Sequence, residues 1–241
     1  MKFIRMIKEK KENPLDTKVP TIAFFGDSVT QGCFELYMKS QDLLGNICDE
    51  SHSYPAYVRR ILSLFFPDVP INIINAGVAG DNANNALKRI ERDVIKYSPD
   101  LAVVCFGLND SNFGLDNLEK YLNSIKEIFS SLKNTGVEII FMTPNMMSTY
   151  VSSRVEPPMA KGNAKSVCAV QNEGVFERFL DEAKNLCKEQ GIPVCDCYAK
   201  WKKLYENGVD TTELLANKIN HPVREMHWLF AGMLVNTMFD N

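Results

Sequence analysis

The sequence predicts an α/β protein in which a parallel sheet of five strands lies between two layers of helices. Short apolar runs recur along the chain and alternate with longer segments whose apolar residues have helical spacing. Nearly continuous apolar strands are typical of parallel sheets that are covered on both faces, and right-handed crossovers place helices on both sides. With 241 residues, the chain is long enough for one large domain with a substantial core.

The individual elements follow from these patterns in chain order. Strands are predicted at residues 21–25, 71–75, 101–106, 137–142 and 192–197. Helices are predicted at residues 54–66, 82–97, 117–134, 173–190 and 224–239. The polar stretch 33–53 and the proline-containing stretch 143–171 show no clear period, so we expect both to be irregular loops.

Composition limits the classes of partner. A formal net charge of -3 argues against nucleic acid or an anionic membrane as the main partner. Seven scattered cysteines are typical of reduced thiols, so we expect a cytoplasmic protein. Because Cys-x-x-Cys is absent and there are three histidines, we expect no structural zinc site.

The first twenty residues differ from the rest of the chain. They are rich in lysine, and their apolar run is too short for a signal peptide or a membrane span. We therefore predict an amphipathic arm at residues 1–20 and a single domain at residues 21–241. The arm is expected to pack on the domain or to be frayed, with a contact between copies in a homo-oligomer as the alternative.

Polar or small residues follow three of the predicted strands. Ser28 follows the first strand, Gly80 the second and Asn109 the third, and His221 precedes the last helix. The carboxyl ends of parallel strands share one edge of the sheet, where ligands bind. Ester cleavage needs a nucleophile, a base and donors for the oxyanion. We predict Ser28 as nucleophile and His221 as base. The oxyanion hole would comprise the amides of Ser28 and Gly80 and the side chain of Asn109.

These residues lie in blocks that resemble those of the GDSL-type esterases, or SGNH hydrolases. The blocks occur in the family's order: Gly26-Asp27-Ser28, residues 75–80, Gly107-x-Asn109-Asp110 and His221. The resemblance covers the chain from about residue 21 to its last residue. It implies a flavodoxin-like fold and hydrolysis of esters of acylated sugars, of lipids or of thioesters, without metal or cofactor. It also implies the same roles for Ser28, Gly80, Asn109 and His221.

One position departs from the family's pattern. The family usually has an aspartate three residues before its histidine, and here that residue is Lys218. An amide can hold the imidazole in one tautomer, but it cannot offset the imidazolium charge as a carboxylate would. Five groups remain open as the partner that orients His221: Asn217, Asp196, Asp210, Glu213 or a backbone carbonyl.

The preferred function is hydrolysis of short-acyl esters, such as acetyl esters of carbohydrates, through an acyl-serine intermediate. The partner is then a small-molecule ester, with no nucleic acid and no membrane. A lysophospholipase or thioesterase of the same family is the first alternative. The second is a catalytically silent binding module on a flavodoxin-like scaffold, because a fold does not imply an activity and the aspartate is missing.

Overall fold

A parallel five-stranded sheet forms the centre of the protein, whose residues 1–241 are all described by a computed structural model. Its strands are β1 (Thr21–Gly26), β4 (Asn72–Gly77), β5 (Leu101–Cys105), β6 (Glu138–Thr143) and β7 (Val194–Asp196). Their order in the sheet is β4-β1-β5-β6-β7. The second strand of the sheet along the chain thus lies outside the first, which is the flavodoxin-like order. The predicted fold class is confirmed.

Helices cover both faces of this sheet because alternate residues of each strand face opposite ways. In β1, Ile22 and Phe24 belong to one hydrophobic cluster and Ala23 and Phe25 to the other. The helices are α1 (Lys2–Glu12), α2 (Ser28–Gln31), α3 (Tyr54–Phe65), α4 (Ala83–Ala86), α5 (Ile90–Asp93), α6 (Leu118–Lys133), α7 (Ala160–Asn172), α8 (Val175–Gln190), α9 (Cys197–Glu206) and α10 (His227–Asp240). No helix is both long enough and apolar enough to cross a bilayer.

The prediction of an irregular loop at 33–53 was wrong. This stretch contains an antiparallel hairpin, β2 (Cys33–Ser40) and β3 (Leu43–Cys48), which forms a separate two-stranded sheet. Its tip is exposed to solvent on both faces, so its sequence shows no alternation of buried and exposed residues. At the hairpin's base, Cys33 and Phe34 of β2 are buried, whereas Ile47 and Cys48 of β3 are exposed.

The larger remaining differences from the predictions lie in three other stretches of the chain. The helix predicted at 82–97 is split into α4 and α5, and Arg89 lies between them with its side chain turned into the protein. The loop predicted at 143–171 includes α7. The last strand ends at Asp196, whose carboxylate accepts a hydrogen bond from Ala199 N (3.0 Å) and so caps α9.

The residues predicted as an arm begin with α1, which lies on the same face of the sheet as α3 and α10. Phe3 and Ile7 are fully buried in that face's hydrophobic cluster. The carboxylate of Glu138, at the start of β6, accepts hydrogen bonds from the backbone amides of Lys2 (2.8 Å) and Phe3 (2.6 Å). These contacts satisfy two amides at the helix N-terminus, which have no intrahelical acceptor.

Candidate active site

Ser28 lies at the carboxyl edge of the sheet as the first residue of α2. The turn from strand to helix is tight, because a Cβ atom at Gly26 would collide with the side chain of Thr30 and with a backbone carbonyl of β5. Asp27 caps the helix by accepting a hydrogen bond from Val29 N at 2.9 Å. The strand end and the helix cap thus fix the position of the Ser28 side chain, which is 4% exposed.

His221 is in contact with Ser28, although the two residues are far apart in the sequence. Its Nε2 lies 2.9 Å from Ser28 Oγ, and its Nδ1 lies 3.0 Å from the carbonyl oxygen of Phe34. A carbonyl oxygen only accepts, so Nδ1 carries the hydrogen and donates to Phe34. The lone pair of Nε2 then faces the Ser28 hydroxyl, which is the tautomer that a general base requires.

Of the five groups left open as the partner of His221, the backbone carbonyl is the one that contacts the imidazole. Asp196 instead accepts from Thr143 Oγ1 and binds Lys184, while Asp210 accepts from the Tyr150 hydroxyl. Glu213 binds Lys218. None of these three carboxylates is a hydrogen-bond partner of His221.

Asn217 holds the loop before His221 rather than its imidazole. Its Oδ1 accepts hydrogen bonds from the amides of Ile219, Asn220 and His221 at 2.9, 2.9 and 3.0 Å. Lys218, which stands where the family has its aspartate, has a positive φ of 58° and donates from Nζ to the carbonyl of Glu213. The loop therefore turns the side chain at this position away from His221.

The electrostatic environment keeps His221 uncharged. Burial lowers the pKa of its imidazole from 6.5 to about 4, although the hydrogen bond to the Phe34 carbonyl and the charge of Glu35 raise it. The imidazole is consequently neutral at pH 7 and able to accept a proton from Ser28.

The loops that carry Gly80 and Asn109 meet beside the turn with Ser28. Val78 N donates to Gly26 O at 3.1 Å, and Ala79 N donates to Gln31 Oε1 at 2.7 Å, so the Gly80 loop is tied to α2. Asn109 Nδ2 donates one of its two hydrogens to the carbonyl of Asp81 at 2.8 Å.

The backbone N–H of Gly80 is a free hydrogen-bond donor in this loop. Gly80 has a φ of 77°, and a Cβ atom there would meet nothing within 4 Å. No backbone carbonyl accepts a hydrogen bond from its N–H. These positions agree with the predicted oxyanion hole, but the roles of Gly80 and Asn109 stay predictions.

Two buried carboxyl groups support the loops around the site. Burial raises the pKa of Asp27 from 3.8 to about 7 and that of Asp110 to about 6. Asp110 accepts hydrogen bonds from Ala83 N (3.0 Å) and Gly107 N (3.1 Å), which joins the loops after β4 and β5. Both groups act on backbone amides, so we interpret them as structural. No three His, Cys, Asp or Glu side chains form a group suited to hold a metal ion.

Sequence reasoning missed three residues that shape the site. Phe34 contributes a backbone carbonyl, which any residue type supplies, so no sequence signal marks it. Arg89 donates to Gly26 O (3.0 Å) and Ala76 O (2.7 Å) and thereby joins the ends of β1 and β4. Arg224 contacts the hairpin that carries Phe34, and its place three residues after His221 is a signal that the sequence does contain.

A polar groove with a volume of about 240 Å³ lies beside the loop that follows Asn109. Its walls come from α4 with the residue before it, from the loop after β5 and from the first turn of α6. Its lining side chains include Asn82, Asn84, Phe113, Asn117 and Lys120. Phe113 is 65% exposed. A larger cavity of about 310 Å³, which Glu138 lines, lies at the opposite edge of the sheet, away from Ser28.

Comparisons with known proteins bear on the family and the fold. The profile of the GDSL-like lipase/acylhydrolase family matches residues 24–229. The chain is 26% identical over 149 residues to an acetylxylan esterase from Geobacillus stearothermophilus, a region that covers 58% of this chain and 64% of that protein. It is 24% identical over 80 residues to an arylesterase from Vibrio mimicus, covering 33% of this chain and 40% of that protein. The matched regions thus span less than two thirds of either relative.

The fold comparison extends further along the chain. The crystal structure of the acetylxylan esterase Axe2 from Geobacillus stearothermophilus superposes with a TM-score of 0.66. The match covers 91% of this chain and 94% of that one, at 21% sequence identity. The arrangement of sheet and helices is therefore shared over nearly the whole length.

Proposed function

The chain belongs to the GDSL-like lipase/acylhydrolase family, and from this premise we propose that it hydrolyses carboxylic esters through an acyl-Ser28 intermediate. The observation that carries the proposal is the chain of two hydrogen bonds from Ser28 Oγ through His221 to the Phe34 carbonyl. A catalytically silent module would have no need of a buried serine paired with a neutral imidazole in this tautomer.

The proposed reaction has two steps. His221 Nε2 accepts the hydroxyl proton as Ser28 Oγ attacks the ester carbonyl, and the oxyanion receives hydrogen bonds from the amides of Ser28 and Gly80 and from Asn109. The imidazolium returns its proton to the leaving alcohol, and the C–O bond of the ester breaks. His221 then deprotonates a water, which attacks the acyl-serine. The imidazolium protonates Ser28 Oγ as the bond between the acyl carbon and Oγ breaks, and the carboxylic acid is released.

We further propose acetyl esters of carbohydrates as substrates. Similarity to the acetylxylan esterase supports this choice. The polar groove lined by Asp110, the residue after Asn109, supports it as well, because amide and ammonium side chains can hydrogen-bond sugar hydroxyls and the exposed Phe113 ring offers a face for stacking. A lipid substrate would fit an apolar trench better than this polar groove.

The general proposal is tested by hydrolysis of p-nitrophenyl acetate, butyrate and octanoate. Ser28→Ala and His221→Ala are expected to reduce kcat by several orders of magnitude, since each removes part of one catalytic unit. Ser130→Ala, an exposed serine on α6, is the matched control and should leave kcat unchanged. Preference for octanoate would favour the lysophospholipase alternative, and equal rates for wild type and Ser28→Ala would leave the silent module.

The substrate class needs a separate measurement on acetylated xylo-oligosaccharides. Asn84→Ala removes a polar side chain of the groove, so KM for the oligosaccharide should rise several-fold while KM for p-nitrophenyl acetate stays the same. Asn185→Ala, an exposed asparagine on α8, is the control for loss of a surface amide. An unchanged KM for the oligosaccharide in the Asn84 variant would argue against the groove as the sugar site.

We also propose a cytoplasmic location. All seven cysteines are free thiols, which is typical of proteins kept in a reducing compartment.

A further inference from the structure

Arg224 connects the His221 loop to the hairpin. Its guanidinium forms a bidentate ion pair with Glu35, with Nη1–Oε1 and Nη2–Oε2 distances of 2.6 and 3.1 Å. Its Cζ lies 4.1 Å from the centre of the Phe34 ring, and its Nε lies 3.5 Å from Asp49 Oδ2. One side chain thus contacts the residue whose carbonyl faces His221, the next residue in the chain and the residue that follows β3.

The hairpin needs such a connection because it has little support of its own. A two-stranded hairpin is marginally stable in water, and its tip from Lys39 to Leu43 is exposed. At its base, Asp49 N donates to Gly32 O at 2.8 Å, so the two strands are closed just where Arg224 binds. Without the Arg224 contacts, no side-chain ion pair would join this base to the loop that follows His221.

From these contacts we infer that Arg224 is a positioning residue for the reaction: it holds the hairpin so that the Phe34 carbonyl stays on Nδ1 of His221. This inference rests on the proposed function, in which His221 is the base. In a Ser-His-Asp triad, a buried aspartate side chain orients the imidazole directly. Here the orienting group is a backbone carbonyl, and its position depends on whatever fixes the strand that carries it.

The ion pair between Arg224 and Glu35 persists over the pH range of an assay, because both side chains stay charged. The hydrogen bonds with Arg224 hold the pKa of Glu35 below its usual value, and the same contacts raise the pKa of the Arg224 guanidinium. A bidentate pair also fixes orientation, which a single lysine contact does not. Misplacement of a catalytic group by about 1 Å can lower a rate about 100-fold.

The test combines kinetics with a measurement that needs no substrate. Arg224→Ala is expected to lower kcat for p-nitrophenyl acetate by about tenfold or more, with KM changed by less than about twofold, because the imidazole loses its fixed orientation. In ¹⁵N NMR spectra at pH 7, wild-type His221 should show a protonated Nδ1 and an unprotonated Nε2. The variant should show a mixture of tautomers.

Related variants separate positioning from general stability. Arg224→Lys should recover part of the rate, and Glu35→Gln should lower kcat in the same direction as Arg224→Ala. The double variant should be no slower than Arg224→Ala if the two act as one unit. Arg60→Ala is the matched control, because Arg60 also lies over an aromatic ring (5.1 Å from Tyr57) and donates to a carbonyl, that of Ser51, and neither residue belongs to β2 or β3.

Two results would overturn the inference. The first is a folded Arg224→Ala protein with wild-type kcat and an unchanged His221 tautomer; should that variant fail to fold, the same result in Glu35→Gln decides. The second is that Arg60→Ala, at the same loss of Tm as Arg224→Ala, lowers kcat by the same factor. If Ser28→Ala retains activity, the proposed function fails, and the tautomer spectra still show whether Arg224 orients His221.

Discussion

At the scale of single residues, the Phe34 carbonyl fixes the tautomer of His221, whereas burial lowers the pKa of its imidazole. Because a carbonyl never donates, it holds Nδ1 in the protonated state without the ambiguity of an amide side chain. It carries only a partial charge, however, and so stabilises an imidazolium less than a carboxylate would. The imidazole is also fully buried, and burial is the main cause of its lowered pKa.

This environment predicts an unusual pH dependence of the reaction. The neutral imidazole is the form that accepts a proton, and with a pKa of about 4 it predominates above about pH 5. We expect kcat/KM for p-nitrophenyl acetate to stay level from about pH 5 to pH 8 and to fall below that range. Initial rates between pH 3.5 and pH 8 measure both the level region and the decrease at low pH. An acid limb near pH 6.5 would contradict the buried, carbonyl-bound state of His221.

Asp27 makes the stability of the protein fall as the pH rises. Its folded-state pKa of about 7 lies above the usual 3.8, so the stability that its protonated form contributes is lost as the pH rises from about 4 through 7. Asp27→Asn keeps a good helix cap and removes this titration. We expect the free energy of unfolding at pH 8 to increase by about 1–4 kcal/mol.

The same comparison near pH 4 is the internal control for Asp27→Asn. There the carboxyl of Asp27 is already protonated in the folded state, so wild type and variant should differ little. Urea unfolding at the two pH values measures both differences, and Asp116→Asn, an exposed aspartate, controls for loss of charge. A decrease in stability at pH 8 would show that the ionised Asp27 is favoured by its surroundings.

At the scale of elements, the apolar strands and most of the long helices were predicted well, whereas the hairpin and α7 were predicted as loops. A buried strand such as Leu101–Cys105 is apolar at every position, so its composition predicts that it is buried. The hairpin is exposed at its tip and has no such pattern, so it was predicted as a loop. The Phe34 carbonyl could not be predicted either, because its position depends on that hairpin.

The ends of β1 and β4 depend on one buried arginine. Arg89 forms a buried ion pair with Asp81, donates to two strand-end carbonyls and lies over the Phe25 ring at 4.6 Å. The backbone carbonyl of Asp81 in turn accepts the hydrogen bond from Asn109. Arg89 thus supports both the sheet edge and a predicted oxyanion donor.

Replacing Arg89 should therefore affect stability and rate together. Arg89→Met leaves the Asp81 carboxylate buried without its partner, and we expect the free energy of unfolding to fall by about 3–5 kcal/mol. We also expect kcat to fall, because Asn109 loses a fixed neighbour. Urea unfolding and p-nitrophenyl acetate hydrolysis measure the two effects. Arg92→Met, with an Arg92 side chain that is 74% exposed, is the control and should change neither; equal behaviour of the two variants would contradict the role of Arg89.

At the scale of the whole molecule, parallel topology explains why the site could be predicted from widely separated blocks. Every strand of the sheet ends at the same edge, so the residues after β1, β4 and β5 meet without any contact being specified in the sequence. His221 follows no strand of the sheet, and its pairing with Ser28 came from the reaction's need for a base and from the family resemblance. The group that orients it required coordinates.

A second question at this scale is whether residues 1–20 unfold together with the rest of the domain. Phe3 is fully buried in the cluster that α3 and α10 share, while Glu138 at the amino edge of the sheet holds the helix N-terminus. Phe3→Ala should lower the free energy of unfolding by about 3–5 kcal/mol, as for other buried phenylalanines. Because this edge lies opposite Ser28, kcat should not change at temperatures where the variant is folded.

Urea unfolding followed by far-UV and near-UV circular dichroism measures the effect of Phe3→Ala. One coincident transition, shifted to lower urea concentration, is expected if the helix and the domain unfold together. Leu15→Ala is the control, because Leu15 is 95% exposed and its replacement should leave the transition in place. A Phe3→Ala midpoint equal to that of wild type would mean that α1 docks without stabilising the sheet, so that the predicted division at residue 20 would also be an energetic one.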